Sequence, residues 1–134
     1  MPYLGIGDLA KQAGVGIDTV RYYERSGLLA PHMRLPSGYR RYRDLEVARL
    51  RFIRRAQALG FTLAEIKSLL KLSAQRNVAQ VKRSAQAKLA DVDRRIKELQ
   101  RIRRGLAELI SQCPGHGRAE DCPILRALGG EEIQ

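Results

Sequence analysis

The sequence IGDLAKQAGVGIDTVRYYERSG, residues 6–27, decides the fold of the N-terminal part of the chain. Apolar residues recur at helical spacing over residues 6–13, and Gly14 then interrupts the pattern. A second helical stretch covers residues 18–26, and its expected apolar face is formed by Ile17, Val20 and Tyr23. Two short helices joined by a glycine-containing turn predict a helix-turn-helix.

A β-wing is predicted directly after this motif. Pro36, Ser37 and Gly38 form a turn signal, and the sequence Tyr39-Arg40-Arg41-Tyr42 that follows is typical of a short basic strand.

Two further helices are predicted between the wing and residue 72. The first begins at the plausible N-cap Asp44 and continues to Gly60. Thr62 caps the second, with Glu65 three residues later as in a capping box. Its expected buried face consists of Leu63, Ile66, Leu69 and Leu70.

The longest predicted helix runs from about Val78 to Ile110. Its apolar residues are three or four positions apart, which is typical of a coiled coil. A helix of ~30 residues spans ~45 Å, too long for the small head to cover, so we expect a second copy of the chain to bury this seam. The alternative is a helix that folds back on its own domain. The seam residues are Val81, Ala85, Leu89, Val92, Ile96, Leu99, Ile102, Leu106 and Leu109.

Composition narrows the class of protein. The chain has 134 residues, 44% of them apolar, enough for one compact domain with an appended element. A charged fraction of 29% and only 5% aromatic residues favour a mainly helical protein over a β-sandwich. The formal net charge of +11 favours a polyanionic partner. With no apolar run of about 18 residues and no signal-peptide pattern, we expect a soluble cytoplasmic protein without a membrane contact.

The C-terminal segment carries different chemistry, because both cysteines lie there. Two thiolates in one glycine-containing loop can approach a single ion, and soft sulfur ligands select Cu(I) and its relatives or Zn(II), Cd(II), Hg(II) and Pb(II). Inert thiols or a redox disulfide are the alternatives. His116 lies between Cys113 and Cys122 and is a candidate Zn(II) ligand, although a solvent-exposed histidine is the simpler interpretation. The neighbouring Glu120 and Asp121 are expected to raise the thiol pKa values.

The residues expected to touch DNA lie on the second helix and the wing. Arg21 is the first choice, because a guanidinium can pair in a bidentate way with guanine or with phosphate. Tyr22 is assigned to phosphate, whereas Tyr23 is expected in the core. Wing residues combine fixed charge with phenol donors, which suits clamping of the DNA backbone. The predicted DNA-contacting residues on these two elements are Thr19, Arg21, Tyr22, Arg34, Tyr39, Arg40 and Tyr42.

Taken in order, several motifs resemble MerR-type transcription regulators. They are residues 6–10 (IGDLA), 19–24 (TVRYYE), 27–29 (GLL) and 38–42 (GYRRY). The ending, residues 113–125, is similar to the metal-binding loop of the heavy-metal sensors in that family, most closely the copper-responsive, CueR-like branch.

This resemblance implies a winged helix-turn-helix domain (residues 1–72), an antiparallel coiled-coil dimerisation helix (73–112) and an effector loop with a tail (113–134). It also implies a homodimer on double-stranded promoter DNA. The spacer between the two promoter elements of this DNA is too long for RNA polymerase to engage both. In the family, the effector-loaded dimer distorts this DNA and activates transcription. The helix that starts near Asp44 would form a second wing, which is why Arg54 is placed beside the duplex.

The resemblance also bears on the metal. Divalent-ion sensors of the family usually carry a further cysteine at the start of the dimer helix, and Val78 occupies that place here. A valine cannot ligate, which favours Cu(I), with Ag(I) as a mimic, held by Cys113 and Cys122; Zn(II) is the second choice. The copper branch usually has serine at this place, and the loop is one residue longer than expected there.

Other functional classes fit the sequence less well than a metal-responsive regulator does. A nucleoid-type DNA binder would use charge alone, which a cysteine-bearing acidic tail disfavours. A metal-buffering or redox protein has no need for a helix-turn-helix and a wing. An enzyme is not expected, because carboxylates, histidine and a nucleophile do not occur together at usable spacing.

Overall fold

The computed structural model describes residues 3–129, and its fold is mainly helical, as predicted. Residues 1–2 of the predicted segment 1–72 and residues 130–134 of the predicted segment 113–134 lie outside the described residues. In chain order the elements are α1 (Ile6–Ala13), α2 (Ile17–Arg25), β1 (Met33–Arg34), β2 (Arg40–Arg41), α3 (Asp44–Ala58), α4 (Leu63–Ala74), α5 (Val78–Gln112), a 3-10 turn (Ala119–Asp121) and α6 (Pro123–Gly129).

Helices α1 and α2 form the predicted helix-turn-helix. Gly14 ends α1 in the left-handed region, at a φ of 71°, where its N–H reaches the carbonyl of Lys11. Val20 and Tyr23 are buried as predicted, but Ile17 stays exposed. Ile17 is the first residue of α2, and its side chain rests against Gly7 of α1 at the rim of the core.

The wing is a two-stranded antiparallel hairpin in which Met33 pairs with Arg41 and Arg34 with Arg40. Gly38 makes the turn possible at a φ of 90°. The backbone of Tyr42 then pairs with Leu4, which anchors the end of the wing to the start of the chain.

Capping determines where α3 and α4 begin. The N-cap of α3 is Arg43, one residue before the predicted Asp44, and its N–H donates to the Glu46 carboxylate at 3.2 Å. The predicted capping box of α4 is confirmed. The Glu65 N–H donates to Thr62 Oγ1 at 3.2 Å, and the Thr62 N–H donates to Glu65 Oε1 at 2.8 Å.

One hydrophobic core joins α1, α2, α3, α4 and the end of the wing. From the predicted face of α4, Ile66 and Leu69 are buried, whereas Leu63 and Leu70 are half-buried beside the core. The largest fully buried side chains are Tyr23, Tyr42, Leu9, Leu28, Leu50, Ile53, Ile66 and Val20.

The chain divides into two compact units, Met1–Lys88 and Leu89–Gln134, and α5 contributes residues to both. In the first unit, Lys88 Nζ lies 2.8 Å from Glu65 Oε1 and 5.7 Å from the centre of the Phe61 ring. In the second unit, the predicted apolar seam of α5 is exposed from Leu89 to Leu106, and Leu109 is half-buried. Within residues 3–129, no helix is long and apolar enough to cross a membrane.

Candidate DNA interface and metal site

The exposed face of α2 carries the first predicted DNA contacts. Arg21 and Tyr22 are exposed, and Thr19 is half-buried. Arg21 Nη1 lies 3.9 Å from a carboxylate oxygen of Asp18, whose side chain is fully exposed. An exposed pair of this kind contributes little free energy, so it leaves Arg21 able to exchange its partner for a phosphate or a base edge.

Two shallow grooves between α2 and the wing bring four of the eight predicted contacts together. Arg21 lines one groove with Tyr39 and Arg40, and lines the other with Arg34 and Arg40. Sequence reasoning missed two further cations, Arg25 and Arg41, which also line these grooves. Arg25 is four positions after Arg21 on the same helix, and Arg41 is two positions after Tyr39 on the same predicted strand, so the helical and strand registers would have found them.

Arg54 stands apart from this group. It is exposed on α3, but it does not line either groove. Its predicted contact with DNA is a separate hypothesis.

The prediction that Tyr42 contacts DNA is wrong. Its side chain is fully buried, and its hydroxyl donates a hydrogen bond to Glu24 Oε1. Burial, reinforced by the Glu24 carboxylate, raises the pKa of the Tyr42 phenol well above its usual range. Tyr39 and Tyr42 are three positions apart on an extended strand, so only one of them can point outward, and Tyr39 does.

Arg40 has the same strand parity as Tyr42 and is therefore turned toward α2. Its Nε lies 3.0 Å from Glu24 Oε2, and the side chain is partly exposed. Tyr23 is buried as expected, and its hydroxyl donates to Gln57 on α3.

Both predicted metal ligands lie in the second compact unit. Cys113 directly follows α5, and its N–H donates to the Leu109 carbonyl at 3.2 Å. Gly115 and Gly117 reverse the chain in the left-handed region, at φ values of 81° and 102°. The 3-10 turn then delivers Cys122, and the two Sγ atoms are 3.7 Å apart.

Backbone N–H groups of α6 set the acidity of Cys122. The N–H of Leu125 lowers the pKa of the Cys122 thiol, and the Cys113 thiol and the Ile124 N–H act in the same direction. The expectation that neighbouring carboxylates raise this pKa is wrong for Cys122. Direct N–H contacts outweigh them, and Glu120 is turned toward Arg118.

The donor set fits a soft ion of low coordination number. Two sulfur donors in contact, one of them with a lowered pKa, are ligands that soft ions prefer. In the part of the chain that the structure describes, no group of three or more His, Cys, Asp and Glu side chains could hold a metal, so His116 does not join the cysteine pair in such a group. The fold is that of a helix-turn-helix DNA-binding protein, and its cysteine pair is a candidate thiolate metal site.

Family models match the chain in two overlapping parts. "MerR HTH family regulatory protein" covers residues 4–73, and "MerR, DNA binding" covers residues 47–109.

Curated relatives extend over nearly the whole chain. The HTH-type transcriptional regulator HmrR of Sinorhizobium medicae is 43% identical over 93% of this chain and 86% of its own length. The HTH-type transcriptional regulator CueR of Escherichia coli O157:H7 is 40% identical over 95% of each chain. The mercuric resistance operon regulatory protein of Bacillus cereus is 42% identical over 92% of this chain and 95% of its own.

Solved structures of similar proteins also superpose on most of the chain. PbrR691 from Ralstonia metallidurans CH34, in complex with lead(II), superposes with a TM-score of 0.82 at 36% identity, over 92% of this chain and 97% of that one. EcmrR, in a cryo-EM structure of an EcmrR–DNA complex in EcmrR-RPo, superposes with a TM-score of 0.62 at 27% identity, over 81% of this chain and 40% of that one.

The chain therefore belongs to the MerR family, whose members are transcriptional regulators and not enzymes. Family membership and the paired cysteines together define a metal-responsive DNA-binding regulator. The names and bound ions of the relatives differ among themselves, with mercury and lead both present.

Proposed function

We propose that this protein is a Cu(I)-responsive transcriptional activator, with Ag(I) acting as a mimic. The observation that carries the proposal is the pairing of the Cys113 and Cys122 Sγ atoms, 3.7 Å apart in one loop. Two thiolates satisfy a soft monovalent ion, which accepts a low coordination number.

Val78 supports the choice of a monovalent ion. It is exposed at the first residue of α5, the place at which divalent-ion sensors of the family carry a further cysteine, and its side chain has no donor atom. A divalent ion held by the cysteine pair alone would lack a third sulfur.

One observation favours a divalent ion, Zn(II), Cd(II), Pb(II) or Hg(II), as the second candidate. With metal–sulfur bonds of about 2.3 Å, the edge of a tetrahedral site is about 3.8 Å, whereas a linear arrangement needs about 4.6 Å between the sulfurs. The observed 3.7 Å is close to the tetrahedral edge. Cu(I) binding in a linear geometry therefore requires the loop to open by a little under an ångström, and Zn(II) binding requires a further ligand such as His116.

A metal competition on the reduced protein tests the assignment. In the binding experiment, Cu(I) and Zn(II) are offered together to the reduced protein. In the reporter experiment, induction of a promoter is measured with each ion alone, in the wild type and in the Cys113→Ser, Cys122→Ser and His116→Ala variants. We expect induction by Cu(I) and Ag(I) that needs both cysteines and survives His116→Ala. Full Zn(II) induction that vanishes in His116→Ala would refute the monovalent assignment, and normal induction in either serine variant would refute the site.

The proposed active species is a homodimer formed through the coiled-coil seam. Leu99, Ile102, Leu106 and Ile110 line one continuous apolar groove on α5. Exposed apolar surface of this extent is unfavourable in water, and a second copy in antiparallel orientation would cover it.

The proposed DNA contacts are Thr19, Arg21, Tyr22, Arg34, Tyr39, Arg40 and Arg54. Contacts of cations with phosphate release counterions, so operator affinity should fall steeply as salt concentration rises. The dimer would occupy the promoter spacer and, with metal bound, distort it so that RNA polymerase can engage both promoter elements. Such a protein acts where the DNA is, in the cytoplasm.

A further inference from the structure

Glu24 is a carboxylate in an otherwise cationic groove. The groove between α2 and the wing is lined by Arg21, Arg25, Arg34 and Arg40, with Glu24 among them. Only 9% of the Glu24 side chain is exposed to solvent. A negative charge at a surface that faces DNA opposes binding electrostatically, so its presence there calls for a compensating role.

Both oxygens of this carboxylate are used by the wing. Oε2 lies 3.0 Å from Arg40 Nε, and Oε1 accepts the hydrogen bond from the Tyr42 hydroxyl. Residues 40 and 42 point to the same side of an extended strand, which lets a single carboxylate on α2 engage both. Arg34, the cross-strand partner of Arg40, also lies close enough to act electrostatically on the Tyr42 phenol.

We propose that Glu24 is a positioning residue for DNA recognition, which holds the wing against the recognition helix before DNA arrives. Without the charge of Glu24, the guanidinium groups of Arg34 and Arg40 would repel that of Arg21. The wing would then become ordered only on DNA binding, and the free energy of ordering it would weaken the affinity. The inference rests on the proposed contact of Arg40 with DNA.

The variant Glu24→Gln separates this role from simple electrostatics. The glutamine carbonyl can still accept from Tyr42, but the charge that pairs with Arg40 is gone. If Glu24 only opposes DNA, the substitution tightens operator binding, because it adds one net positive charge. If Glu24 positions the wing, the substitution weakens operator binding, and we expect a loss of about five- to tenfold.

Asp18→Asn is the matched control. Asp18 lies on the same helix, its side chain is fully exposed, and its contact with Arg21 is long. The same change of charge there should leave operator binding unchanged or slightly tighter. Affinity is measured by titration against operator DNA and against DNA of unrelated sequence at one salt concentration, with circular dichroism to verify the fold.

A double-mutant cycle with Arg40→Gln identifies the residue through which Glu24 acts. We expect Arg40→Gln alone to weaken operator binding and Glu24→Gln to add no further loss in that background. If Arg40→Gln has no effect, the proposed wing contact fails. If Arg40→Gln weakens binding but Glu24→Gln does not, only the positioning role fails.

Tyr42→Phe guards against a folding defect in Glu24→Gln. It keeps the buried ring and removes only the hydroxyl that anchors Glu24 Oε1. We expect a smaller loss of operator affinity in the same direction. Full operator affinity in Tyr42→Phe, together with unchanged or tighter binding in Glu24→Gln or an unfolded Glu24→Gln, would overturn the proposal.

Discussion

Replacement of Leu99 by glutamate should dissociate the proposed dimer. Leu99 is 63% exposed in the single chain, so about that fraction of its burial free energy remains to be gained from a partner. Full burial of a leucine contributes about 1.5–3 kcal/mol, which leaves about 1–2 kcal/mol for each copy. Both copies change in a homodimer, so the lost burial alone is about 2–4 kcal/mol, or about 30- to 1,000-fold in the dissociation constant. The cost of placing a carboxylate in an apolar seam adds to this.

Sedimentation velocity across a concentration series measures the effect, and Arg101→Glu is the control. Residue 101 is two positions from 99, about 200° around the helix, and its side chain is exposed, so the same residue introduced there should leave the dimer intact. A wild-type chain that is monomeric at micromolar concentration would refute the coiled-coil reasoning. Equal dissociation of the two variants would show that net charge, rather than the seam, decides association.

Three further predictions concern DNA binding, metal sensing and the ion pair between Glu65 and Lys88. Arg21→Ala should weaken operator binding by about 1–3 kcal/mol and reduce discrimination between sites, as measured by footprinting titration; equal binding would exclude the contact. Replacing Cys113 or Cys122 by serine should abolish induction in a reporter assay and leave operator affinity unchanged. Lys88 lowers the pKa of Glu65 to about 2, below its unfolded value, so the pair stabilises the fold above about pH 4.5 and loses this contribution as pH falls toward 2. Because the Glu65 side chain is 44% exposed, Lys88→Met should lower the free energy of unfolding at pH 7 by only about 0.5–1 kcal/mol, as measured by thermal unfolding. This difference from wild type should shrink at pH 3, and a difference independent of pH would contradict the pairing.

Periodicity and capping were sufficient to predict most of the helices. Apolar spacing located α1 to α4, each of which buries one face, and also α5, whose apolar face is largely exposed in the single chain. The Thr62 capping box fixed the start of α4. The strands β1 and β2 both have two residues, too few to show an alternating pattern. The turn signal at residues 36–38 located β2, whereas no such signal directly precedes β1. The short helix α6 was missed for a similar reason.

The side-chain partners at the site could not be predicted from the sequence. Tyr39 and Tyr42 have the same chemistry in the sequence, and their different roles depend on strand parity relative to Glu24, a residue 18 positions before Tyr42. In the same way, the acidity of Cys122 depends on N–H groups that follow it in α6, whereas the sequence shows only the carboxylates beside it. Composition and spacing identify which groups are present, but the partner of each group follows from the packing.

The division of the chain explains why loss of metal should change transcription but not occupancy. The cysteines belong to the second compact unit and the α2 and wing cations to the first. Helix α5 begins in the first unit and ends at Gln112, directly before Cys113. An ion can shift the balance between two DNA-bound states only by as much as its affinity for those states differs. A coupling of about 1–3 kcal/mol, typical of allosteric proteins, would change that balance about 5- to 150-fold. Any movement of Cys113 on ion binding would act directly on the last turn of α5, because the Cys113 N–H is bonded to the Leu109 carbonyl. We therefore expect a serine variant to retain every DNA contact and to lose only the ion's ability to favour the activating state.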